Sequence, residues 1–116
     1  MEPDQAPPPT VEPEKEEDYI QKGWTAHVQG DFAHSEEDFR KALSLNPQSI
    51  EANYGLGMSF KIQGRIQEAL EAFQKTLETI KANPDSDDPA RITMLRHLSQ
   101  TQIGIINNGY TQEPAP

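Results

Sequence analysis

Residues 50–83 of this chain repeat residues 16–49. At an offset of 34 positions, Glu17 matches Glu51, Gly23 matches Gly57, Gln29 matches Gln63 and Gly30 matches Gly64. Further along, Glu37 matches Glu71, Phe39 matches Phe73, Lys41 matches Lys75 and Leu43 matches Leu77, with conservative pairs at Thr25/Ser59, Val28/Ile62 and Phe32/Ile66. A period of this size constrains the fold more than any other feature. One such unit cannot bury its own apolar face, so neighbouring units must stack to build a core.

Apolar residues recur at helical spacing, and no run alternates with period two, so the chain is expected to be all-α. A first helix is predicted from about Glu17 to Gln29. Gly30-Asp31 breaks it, with Asp31 placed to cap the second helix, Phe32 to about Leu45. That helix stops at Asn46-Pro47, because a residue before proline avoids helical angles. A third helix runs from about Ile50 to Gln63 and a fourth from Ile66 to about Ala82, stopping at Asn83-Pro84. Asp88 and Pro89 open a fifth, which Asn108-Gly109 ends after about Asn107.

A two-helix unit of this period resembles the tetratricopeptide repeat. The resemblance covers residues 16–49 and 50–83 and implies an α-solenoid of helical hairpins, about five helices in all, closed by a capping helix over 89–107. It gives the matched residues their roles. Gly23 and Gly57, costly in mid-helix by roughly 1 kcal/mol against alanine, admit a close neighbour. Phe39 and Phe73 are the large side chains inserted between first helices, and Ala42 and Ala69 occupy close crossings. Lys22, Ala26, Ser35 and Asn53 depart from the family pattern, most of them in the first repeat. The domain is expected over 16–109, between a disordered, acidic, Pro-rich tail (1–15) and a second disordered tail (110–116).

The first helix of each repeat lines a concave groove in this family. Carried over, the peptide-binding residues are Ile20, Trp24, His27 and Val28, then Tyr54, Met58, Lys61 and Ile62, with Arg96, Thr93 and Gln100 added from the closing helix. Aromatic and methionine side chains there would anchor a peptide with modest entropy loss. Plainer roles stand beside these. Trp24 can simply cover the thin first repeat, Tyr54 can be interfacial or partly buried, and Lys61 can be a solvated lysine. Lys61, Arg96 and His97 are candidates to meet an acidic group at the rim. Repeats that clamp the acidic tails of heat-shock chaperones carry lysine and asparagines where this chain has Ile20, Trp24 and Gly55, so that clamp is missing.

Charge narrows the partners. The chain has 10 basic and 19 acidic residues and a net charge of −9, the reverse of what nucleic acid or an anionic membrane attracts. Residues 1–17 carry six of the acids against Lys15 alone. There is no cysteine, hence no disulfide or thiolate metal site. The start has neither a basic stretch nor an apolar run, so no secretory leader is expected and a cytoplasmic protein is. His27, His34 and His97 have no i,i+4 partner. Asp85-Ser86-Asp87-Asp88 lacks the glycine and distal glutamate of a calcium loop and reads as a capping segment. No catalytic residue, metal or cofactor is expected. The expected function is a scaffold binding another protein or a peptide in the groove. The alternative is a self-associating module, a homo-dimer, whose apolar strip is the interface.

Overall fold

A computed structural model of the protein describes residues 14–83 and 87–110. Residues 1–13 and 111–116, the greater part of the tails expected over 1–15 and 110–116, and residues 84–86 lie outside the described residues. Five α-helices follow one another: α1 (Glu16–Val28), α2 (Phe32–Leu45), α3 (Ile50–Ile62), α4 (Ile66–Ala82) and α5 (Pro89–Ile105). A π-type turn over Ile106–Tyr110 ends the described chain, so α-helical geometry stops slightly before the expected Asn107. No strand occurs among the described residues. Each helix packs antiparallel on the next, and α3 also touches α1 and α5.

Local chemistry sets these boundaries. Glu14 and Lys15 stand just ahead of α1, with Lys15 as its N-cap. The Lys15 N–H donates to Asp18 Oδ2 at 2.8 Å, and Glu14 pairs with Lys22. Both turns inside the repeats use one motif. Gly30 and Gly64 take left-handed φ angles of 81° and 80°. At each, the glycine N–H and the following N–H reach back to close the helix: Gly30 to His27 and Asp31 to Ala26, then Gly64 to Lys61 and Arg65 to Phe60. Asp31, Ser49 and Asp88 then cap α2, α3 and α5 by accepting from the N–H groups of His34, Ala52 and Arg91.

The core is built around two phenylalanines. Phe39 of α2 has no solvent exposure and lies between α1 and α3. A Cβ on Gly23 would sit 2.8 Å from its ring, and one on Gly55 would sit 2.4 Å away. Phe73 of α4 closes on Gly57 of α3 in the same way, at 2.6 Å. Ser35, where the family pattern has alanine, is buried with Ser59, their hydroxyls 2.8 Å apart. This bond answers the cost of burying both polar groups. Asn53, another departure from the family pattern, donates to the Ser49 carbonyl.

On the convex side Glu36 accepts from Arg40, Gln63 and Arg65, and Arg65 also pairs with Glu68. The Arg40 and Arg65 guanidinium groups lie over the Phe60 ring, at 5.4 and 4.5 Å. This cluster ties α2 to the start of α4 and covers the back of α3.

The glycine packing can be tested directly. Gly55→Ala overpacks the Phe39 site and should lower the unfolding free energy by about 1–3 kcal/mol. Gly104→Ala in α5 meets nothing within 4 Å and should raise it by about 0.5–1 kcal/mol. Urea denaturation of the two variants reads both; equal effects would contradict the packing account.

Candidate interaction surface

α3 packs against both α1 and α5, so these three helices share one side of the domain. Trp24 is half-buried there. Its ring meets Phe39 edge-on at 5.0 Å between centroids, with His27 at 5.6 Å and Tyr54 at 6.1 Å. The tryptophan packs over Phe39 of the first repeat and keeps part of its ring exposed. Beside it opens a hollow of about 570 Å³, lined by Glu17, Ile20, Gln21, Trp24, Thr25, Val28, Gln29 and Glu51.

The structure separates the sequence candidates. Val28 is 84% exposed, and Ile62 is exposed one repeat later. Met58 is partly buried against the core. Ile20 lines the hollow but is nearly closed off. Tyr54 is buried at 7% exposure, held between the rings of Trp24 and Phe73, and burial pushes its phenol pKa up. It supports the surface from beneath instead of offering a contact. Lys61 is half-buried, and its ammonium donates to Gln102 Oε1 of α5 at 2.6 Å. Arg96 and Gln100 border a different hollow, with Leu77, Ile80 and Lys81 of α4. They occupy the trailing edge of the stack, and the expected groove role for Arg96 and Gln100 does not match that position.

Two residues absent from the sequence candidates join the three concave helices. Glu51 Oε2 accepts the indole N–H of Trp24 at 3.0 Å, while its Oε1 pairs with Arg91. One carboxylate of α3 thus holds α1 and α5. Arg91 lies against α3, at helical spacing from Leu95, Leu98 and Gln102. The sequence signal for Glu51 was its repetition as Glu17. On α5, Met94 and Ile105 are exposed and lie on the side away from Arg96. Helical spacing places them beside the Leu98 line, so an apolar stripe runs from Trp24 and Val28 through Met58 and Ile62 to α5.

His27 sits between Trp24 and Phe32, whose ring is 5.3 Å away, and its buried Nδ1 has no hydrogen-bond partner among the described residues. Burial lowers its pKa below the ordinary 6.5. Among the described residues no three His, Asp or Glu side chains are grouped to hold a metal ion. None of the described helices is long and apolar enough to cross a membrane.

The sequence pattern of the tetratricopeptide repeat matches residues 16–49 and again residues 50–83. The chain belongs to the tetratricopeptide repeat family. It is also similar to an uncharacterized protein of Methanocaldococcus jannaschii, 36% identical over 67 residues, which is 58% of this chain and 78% of the archaeal one. Tetratricopeptide repeats are in general protein–protein interaction modules and non-catalytic scaffolds.

The half-buried His27 imidazole, with its Nδ1 enclosed, predicts an acid-sensitive contribution to stability. A folded-state pKa below 6.5 means that stability is complete above 6.5 and falls as pH drops through the lowered value. Thermal melts at pH 7.5 and 5.5 should show a loss at the lower pH that His27→Phe reduces. An unchanged pH dependence in the variant would count against it.

Proposed function

We propose that the protein is an interaction scaffold whose concave face binds a peptide or helix from a partner protein. The observation that carries this reading is the open hollow beside Trp24, continued by exposed Val28 and Ile62. An apolar stripe left open on a small domain is a feature of binding surfaces. Its makeup fits an amphipathic helix or extended segment laid along α1, α3 and α5. The Glu51 bridge supports preorganisation, since it fixes the indole before any partner arrives.

Val28→Lys and Ile62→Lys alter exposed side chains and leave Phe39 and Phe73 untouched. Both variants should keep the wild-type melting temperature within a few degrees and lose about tenfold or more in partner capture. Leu56→Ala, on the opposite face of α3, should not weaken capture selectively. Undiminished capture by both lysine variants would refute the concave-face reading. Sedimentation over a range of concentrations tests the alternative, self-association through the same stripe: a monomer throughout removes it.

A further inference from the structure

We infer that the partner segment is cationic: an amphipathic helix with lysine or arginine beside its apolar face. The inference rests on the concave-face reading and adds the charge of the occupant. The floor of the hollow is Ile20, Trp24 and Val28, its walls are neutral, and its two charged groups are the carboxylates of Glu17 and Glu51. No lysine or arginine lines it. Glu51 is committed to Trp24 and Arg91. Glu17 is exposed and has no ion pair among the described residues.

The surroundings carry the same sign. On the other flank of α1 a second hollow, of about 510 Å³, gathers Glu14, Asp18, Asp31 and Asp38 against Lys22 and His34. Of those two, Lys22 is paired with Glu14 and His34 with Asp31. Residues 14–49 hold eight acids and four bases, whereas residues 50–110 are nearly balanced, with seven and six. Negative potential is thus concentrated at the leading end, around the apolar floor, where it would draw in and orient a cation. The cations that would favour an acidic peptide are occupied or elsewhere. Lys61 donates to Gln102, Arg91 is held by Glu51, and Arg96 lies on the trailing edge. An apolar side chain seated on Trp24 and Val28 puts a basic residue one turn away within reach of Glu17.

Trp24 is the only tryptophan, so its emission reports occupancy of the hollow. The full chain is titrated with a tryptophan-free amphipathic peptide of leucine and lysine, and with its leucine–glutamate counterpart. The leucine–lysine peptide should shift Trp24 emission saturably and the leucine–glutamate peptide should not. Glu17→Lys should weaken the leucine–lysine peptide about fivefold and strengthen the leucine–glutamate one, a gain that misfolding cannot produce. Glu78→Lys makes the same charge change on the exposed face of α4 and should alter binding by less than about twofold. Equal weakening by the two variants overturns the inference, as does equal or tighter binding of the leucine–glutamate peptide. In that last case occupancy of the hollow survives and only its charge preference falls. If neither peptide shifts Trp24 emission, the cationic inference fails, and the concave face is judged separately by the lysine variants at Val28 and Ile62.

Discussion

Phe39 inserted between Gly23 and Gly55 is the contact on which the rest of the molecule depends. The ring fills the space where two Cβ atoms would otherwise stand, so α1 and α3 approach each other across α2. A side chain with no solvent exposure contributes most of its transfer free energy, about 2–3 kcal/mol for a phenylalanine. It also fixes geometry, because a planar ring between two bare backbones tolerates little sliding. The second phenylalanine, Phe73 of α4, closes in the same way on Gly57 of α3.

That placement creates the concave face. The stagger of the helices brings Glu51, at the start of α3, to Trp24 in the middle of α1 on one side and to Arg91 at the start of α5 on the other. Half-exposed ion pairs contribute little to stability, typically below about 1 kcal/mol. The value of the Glu51 bridge lies in fixing the indole, with one face on the core and one on the hollow. Tyr54 and Phe39 buttress the ring from below. Polar groups thus set the orientation, and the apolar floor is left available.

Much of the fold could be read from the sequence because its determinants are local. Gly30 and Gly64, the caps at Asp31 and Asp88, and the breaks before Pro47 and Pro84 each act within a few residues. The resemblance to the tetratricopeptide repeat then assigned Phe39 and Phe73 to the core. The surface was less legible. Glu51 and Arg91 are 40 positions apart, and their meeting depends on helix stagger, which no short pattern encodes. Arg96 was placed by extending the repeat into α5. However, α4 has 17 residues where α2 has 14, so the 34-residue register does not continue past it. Tyr54 occupies a groove position by spacing, yet Trp24 and Phe73 close over it. Whether a groove position is open depends on the size of its neighbours as much as on its register.

The side shared by α1, α3 and α5 is the proposed working surface. Nuclear magnetic resonance of the labelled chain with a bound partner segment addresses it most directly. The Trp24 indole N–H, the Met58 and Met94 methyl groups and the Val28 and Ile62 methyl groups should shift together on binding. Leu56 and the Arg40–Phe60–Arg65 cluster on the convex side should remain in place. Shifts confined to the convex cluster, or to the trailing edge at Leu77 and Arg96, would contradict the account.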